Sequence, residues 1–265
     1  TFNGNKYIQT FYDDFEGDEL NPKNWKKSKE GARQTTMSNY GYWNNECSYV
    51  ANGNLVIENK IKDNFNISAG VETKGLFEQS HGLFEIKFKC EDTSGLWYAF
   101  WLMGENDENH INGNAVDAAE IDCFELIPNE GDSKTPNPKY GTPKAFKPTI
   151  HWDAYGQYHK SKASPKINVL DFDPQFYEKF HVFKFVWGET FYEAYMDDQL
   201  LWKMNASKVD DEHFGGMCNG KNYMIISSEF GDWGGSLDEK KLPAKMYVDY
   251  VKAYKKNTYG QGTLC

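Results

Sequence analysis

The chain has 265 residues, a length that suits a single all-β sandwich, and carries a formal net charge of −10 at pH 7. That surplus of carboxylates excludes a nucleic-acid partner, whose phosphates ask for a basic surface, and disfavours strongly anionic polysaccharides. No apolar run approaches the roughly 18 residues of a membrane span, so no membrane partner is expected.

Aromatic residues make up 16% of the chain, with 17 Tyr, 18 Phe and 8 Trp, more than a core of this size needs. Rings left on display suit sugar binding, because the apolar face of a pyranose stacks on a flat ring while its hydroxyls stay free for polar partners. The five cysteines, Cys47, Cys90, Cys123, Cys218 and Cys265, lack CxxC spacing. A zinc site is therefore not indicated, and the odd count leaves at least one of them unpaired. The N-terminus shows no charged-then-apolar signal pattern, which fits either a cytosolic protein or a mature or trimmed chain.

In chain order, FYDDFEGDELN near the start reads as a first strand leading into a turn. Residues 39 to 46, NYGYWNNE, are too rich in Asn and Gly for a regular element and read as a loop, either sugar-contacting or structural. Asn52-Gly53 signals a turn before the alternating stretch Asn54 to Glu58. From His81 to Lys89 the pattern alternates strictly, with Phe84, Ile86 and Phe88 on one face and Leu83, Glu85, Lys87 and Lys89 on the other. Gly95 to Met103 is almost wholly apolar, as an inner sandwich strand should be; Trp101 belongs either beside a cleft or in the core.

A polar loop from Gly104 to Asp117 leads to the acidic stretch, and a proline-rich irregular run from Pro128 to Pro148 follows it. His151, in IHWDAYG, is either structural or placed to touch a substrate or an acid. Residues 180 to 187 and 191 to 198 form a hairpin around Gly188-Glu189-Thr190, with a third strand from Leu200; 223 to 229 and 246 to 254 are two more strands. Short helices are expected near 173–179 and 205–213. With no linker or repeat, the expectation is one domain, residues 1–265, built of two antiparallel sheets.

The stretch that organises the rest is Ala119-Glu120-Ile121-Asp122-Cys123-Phe124-Glu125. Glu120 and Asp122 are two apart and leave one face of a strand, with Ile121 directed into the core. Glu125 has an odd offset from Glu120 and belongs on the opposite face unless a bulge at Cys123-Phe124 absorbs one residue. With that bulge three acids line one surface, and leaning side chains can bring the outer two to the about 5–5.5 Å that a retaining glycosidase uses. A solvated acidic face is the alternative for these residues taken alone.

EIDCFE, together with GLWYAFWLMG upstream, IHWDAYG downstream and VDYVKAYKK near the end, resembles glycoside hydrolase family 16 over nearly the whole chain. The six-residue acidic motif is similar to that of laminarinases and agarases rather than to the five-residue form of lichenases. The resemblance implies an all-β jelly-roll sandwich of two antiparallel, concanavalin-like sheets, with a substrate cleft on the concave face. It further implies Glu120 as nucleophile, Glu125 as general acid/base and Asp122 as the helper between them. Asn45 and Glu46 match a substrate-contacting loop, Trp97, Trp101 and His151 would flank the cleaved bond, and Trp233 would lie farther along the groove. Many members hold a structural calcium; the matching positions are Asp14, the Gly53 carbonyl and Asp249, oxygen ligands of the kind calcium takes. No cofactor is implied for the chemistry.

Two departures stand out. Tyr98 replaces a usual proline, and IISSEFGDWGG replaces a glycine-rich strand, bringing Ser228 and Glu229 toward the cleft. The expected activity is retaining endo-hydrolysis of a β-1,3-glucan or mixed β-1,3/1,4-glucan. The alternatives are an endo-β-galactosidase and a non-catalytic lectin. The expected partner is a polysaccharide or oligosaccharide, the expected state a monomer, and the expected location secreted or cell-surface, because a polymer cannot cross a membrane.

Overall fold

The computed structural model describes residues 1–104, 115, 119–128, 145–153, 155–205 and 217–257. Two large β-sheets face each other across one apolar core. One runs in the order Lys160–Ala163, Ala145–Trp152, Glu120–Ile127, Leu96–Gly104, Asn222–Phe230, Gly70–Glu72, Lys26–Lys27. At the centre of the other, Gly82–Cys90 lies between His181–Trp187 and Ala244–Lys256. Strand pairing is antiparallel apart from a short parallel contact of Tyr42–Trp43 with Phe65–Ser68.

Residue alternation explains which face each strand buries. Phe84, Ile86 and Phe88 are fully buried in the core. Their neighbour Glu85 faces away, toward Lys184 and Lys252. Leu83 joins a separate small cluster with Val186 and Tyr195 on that outer side. The hairpin expected around Gly188-Glu189-Thr190 joins His181–Trp187 to Phe191–Met196, closed by the Gly188 N–H donating to the Phe191 carbonyl at 2.8 Å. Asn52 and Gly53 have φ of 54° and 69°, so the Asn-Gly turn between Ser48–Ala51 and Asn54–Lys62 takes the left-handed pair that a tight hairpin requires.

Phe124 holds the two sheets together. Its ring lies 4.7 Å from Phe88, 5.1 Å from Phe146 and 5.1 Å from Phe183, centroid to centroid, and is completely buried. Burying one such ring stabilises the fold by roughly 1.5–3 kcal/mol.

Some expectations change. Strand Ala145–Trp152 includes the last residues of the run read as irregular, while 129–144 lie outside the described residues, as do most of the loop from 104 to 117 and all but the first residue of the helix expected near 205–213, where Asn205 ends a strand. In place of a helix over 173–179 there is one short turn at Val169–Phe172 and a 3-10 turn at Phe176–Glu178. Cys47, Cys90 and Cys123 are buried free thiols, Cys218 is buried, and Cys265 lies outside the described residues. Among the described residues no helix is long and apolar enough to cross a membrane.

Candidate active site

The bulge is present where the odd spacing requires it. On one side Trp101 is opposite Asp122 and Phe100 is opposite Phe124, which leaves Cys123 as the extra residue. On the other side Asp122 is opposite Thr149 and Glu125 opposite Lys147, so three steps on the acidic strand match two on its neighbour. Pro148 falls in that gap. A proline lacks the N–H that an inner strand must donate, and a bulge is the place in a sheet where the bond is not needed. Glu120, Asp122 and Glu125 therefore all line one cleft, while Ile121, Phe124 and Leu126 are fully buried in the core.

Each acid has its own surroundings. The Tyr155 hydroxyl donates to Glu120 Oε1 at 2.8 Å. His151 Nε2 lies 3.1 Å from Asp122 Oδ2, and its Nδ1 is 2.8 Å from His159 Nε2. The rings of His151 and His159 stack at 5.0 Å, and those of Tyr155 and His159 at 4.7 Å, so the segment after the Ala145–Trp152 strand forms a wall over Glu120.

Burial pushes the Glu120 carboxyl up to about 7, and the charge of Asp122 adds to the rise; His151, the Tyr155 hydroxyl and Arg33 oppose it. Glu125 is held well above the usual carboxylate range, by burial first and then by the negative charges of Asp122 and Glu120. For His151 burial alone would depress the pKa, but the hydrogen bond and charge of Asp122 outweigh it and the net shift is upward. Such clustered acids release their protons as a set.

Trp97 and Trp101 line the cleft beside the acids. The Trp101 indole N–H donates to Ser227 Oγ at 3.1 Å, which fixes its ring. Trp233 is half-buried and packs edge-on against Trp97 at 5.3 Å, one wall removed from the carboxylates. Opposite Glu125 stands Ala99, and opposite Ala99 stands Ser227, so small side chains keep the floor open.

Glu229 reaches the cleft, but Ser228 does not: it faces the interior, its hydroxyl donating to Asn59 Oδ1 at 2.7 Å, and Ser227 lines the cleft in its place. Tyr98 also points into the core, with its hydroxyl on the Glu91 carbonyl, so the exchange for proline does not alter the cleft surface. Asn45 and Glu46 are exposed and lie outside the cleft lining; the Glu46 carboxylate is paired with Lys60 and Lys62.

Sequence reasoning missed Arg33. It is the only arginine among the 29 Lys and Arg residues, a signal available in the sequence, since arginine is the side chain chosen for planar, partly buried ion pairs. Its guanidinium stacks over the Trp43 ring at 4.0 Å and reaches Glu229 at 3.0 Å.

The calcium residues are differently engaged. Asp249 is ion-paired with Lys87, and the Tyr12 hydroxyl donates to Asp14 Oδ2 at 3.0 Å. Among the described residues no group of three or more His, Cys, Asp or Glu side chains gathers to hold a metal. The carboxylates expected to bind calcium thus already meet protein donors, and the donor set does not fit an ion without displacing Lys87.

The comparisons agree with this geometry. The sequence profile of glycosyl hydrolases family 16 matches residues 32–252. A beta-glucanase of Rhodothermus marinus is 24% identical over 240 residues, 83% of this chain and 77% of its own length. A keratan-sulfate endo-1,4-beta-galactosidase of Sphingobacterium multivorum is 24% identical over 203 residues, 74% of this chain and 42% of its own. Other curated relatives are longer still, one of them spanned by this chain over only 30% of its length. The endo-beta-1,3-glucanase from Pyrococcus furiosus superposes with a TM-score of 0.77 at 27% identity, covering 97% of each chain. The matched residues take in the acidic strand and its neighbours on both sides, and the chain belongs to glycosyl hydrolases family 16, a glycoside hydrolase with the jelly-roll sandwich fold.

Proposed function

We propose that the protein is an endo-acting, retaining β-glycosidase that cleaves internal bonds of a β-1,3-glucan or mixed β-1,3/1,4-glucan by double displacement. The observation that carries this reading is the set of three carboxylates on the cleft face of one bulged strand, with Glu125 held well above the usual carboxylate range and the rise of Glu120 to about 7 opposed by His151, Tyr155 and Arg33. Glu120 attacks the anomeric carbon while the departing glycosidic oxygen takes the proton of Glu125, leaving a glycosyl ester on Glu120. The Tyr155 hydroxyl, donating to Oε1, holds the Glu120 carboxylate in place for the attack. Water then attacks the same carbon, Glu125 removes its proton, and the ester bond to Glu120 breaks. Burial, and next the negative charge of Asp122, which His151 fixes, keep Glu125 protonated before attack.

The beta-glucanase and endo-beta-1,3-glucanase relatives support a glucan, which would lie against Trp97 and Trp101. A second reading, an endo-β-galactosidase, is favoured by Glu229 in the cleft and by the keratan-sulfate relative. Digesting laminarin, lichenan and agarose in parallel and sizing the products separates the two. Internal cleavage of either glucan is expected; cleavage of agarose alone overturns the glucan assignment. A lectin needs no nucleophile. Glu120→Gln should therefore abolish turnover, by at least about 10³-fold, and preserve binding, whereas cleavage at the wild-type rate ends the catalytic assignment. The same reading carries a single catalytic domain over residues 1–265, working as a monomer, secreted or at the cell surface.

A further inference from the structure

The least explained group in the cleft is Glu229. It is 3% exposed, faces Trp97 across the strand pair, and lines the same cleft as the three acids. Both Arg33 donors, Nε at 3.1 Å and Nη2 at 3.0 Å, converge on a single oxygen, Oε1. Oε2 is left buried with no hydrogen-bond partner in the protein. A buried carboxylate oxygen left without a donor is destabilising, and a group kept in that state beside the other cleft acids calls for a donor from outside. Arg33 cannot supply it, because its ring-stacked position over Trp43 aims both donors at Oε1.

We infer that Glu229 is a specificity-determining residue whose Oε2 accepts a hydrogen bond from a hydroxyl of an uncharged sugar unit, and that the Arg33–Glu229 pair makes the cleft select against glycans bearing sulfate or carboxylate there. The inference rests on the glycosidase reading above and deepens it. Among the described residues lining the cleft, four are carboxylates, Glu120, Asp122, Glu125 and Glu229, and Arg33 is the single arginine or lysine, already committed to Glu229. A sulfate placed at Oε2 would meet a carboxylate oxygen where it needs a donor and would crowd a further negative charge among these acids. A hydroxyl satisfies the orphan oxygen.

The test measures kcat and KM of the wild type, Glu229→Gln and Glu229→Ala on laminarin and agarose, both uncharged, and on partially sulfated laminarin and keratan sulfate. Glu229→Gln keeps an oxygen for Arg33 and presents an amide donor where Oε2 was, so it should melt close to the wild type. Wild-type cleavage should be confined to an uncharged glycan. Glu229→Gln should raise KM on it at least about tenfold with kcat changed less than about threefold, as expected for a lost hydrogen bond to a charged group. Glu229→Ala, which frees Arg33, should narrow the gap between uncharged and sulfated substrates. Equal wild-type rates on laminarin and its sulfated form, or an unchanged KM in Glu229→Gln, overturns the inference. Cleavage of agarose in place of laminarin overturns the glucan assignment alone, and the same KM comparison on agarose then decides the role of Glu229.

Discussion

Phe124 stands directly opposite Phe100 in the strand register, with ring centroids 6.4 Å apart, although its neighbour Cys123 has no counterpart on that strand. The pairing resumes on the core side immediately after the bulge. Phe124 is thus the anchor that returns Glu125 to the cleft face, and core packing and cleft meet in adjacent residues.

Removing that anchor should damage both. Phe124→Ala is expected to destabilise the fold by about 3–5 kcal/mol, as a fully buried ring lost from a close-packed cluster does. Below its melting temperature the variant should also lose kcat, because the bulge no longer holds Glu125 in place. Chemical denaturation and kinetics on the same preparation check this; full stability or full activity would contradict the anchoring role.

Deleting Cys123 gives the opposite prediction. The shortened stretch alternates regularly, with Ile121 and Phe124 toward the core and Glu120, Asp122 and Glu125 toward the cleft. Activity within about tenfold of wild type is expected, with a lowered Tm because Pro148 then faces a regular ladder without an N–H to give. A loss of a thousandfold or more would mean that the bulge itself is required for the chemistry.

The pH profile follows from the charges around Glu120. In the proposed double displacement attack needs Glu120 ionised and Glu125 protonated, so kcat/KM should rise as pH climbs through about 7 and fall again where Glu125 loses its proton. Of the groups facing Glu120, Asp122 raises its pKa and His151, Tyr155 and Arg33 lower it. Tyr155→Phe removes a donor that favours the anion and should move the acidic limb to higher pH by about half to one unit. An acidic limb that stays in place would show that Tyr155 does not act on Glu120.

A chelator is expected to shift Tm by less than about 1 °C, since Lys87 already pairs with Asp249 and protein donors take the place of a cation. A fall of several degrees would show that calcium displaces Lys87 at Asp14, the Gly53 carbonyl and Asp249.

Much of this was legible in the sequence, and for physical reasons. Alternation set the faces of Phe84, Ile86 and Phe88, and the odd offset of Glu125 called for the bulge because only one face of the strand can carry charge into a cleft. Pro148 was a second sign of the bulge, concealed by its place in a proline-rich run. What stayed hidden depends on contacts between distant segments. Ser227 and Ser228 are interchangeable by composition, and only the register against Ala99 and Tyr98 decides which one reaches the cleft. Glu46 carries the same charge as Glu229, but Lys60 and Lys62 hold it at the surface, whereas Glu229 meets Arg33 across 196 residues of chain.

The proposed nucleophile, Glu120, can be identified directly. Incubating the enzyme with a 2-deoxy-2-fluoro laminarioligosaccharide that carries a good leaving group traps the glycosyl ester, because fluorine slows its hydrolysis, and peptide mass mapping then locates it. One sugar adduct per chain is expected, on Glu120. An adduct on Glu125 or another residue, or turnover of the reagent with inversion and no adduct, would contradict it.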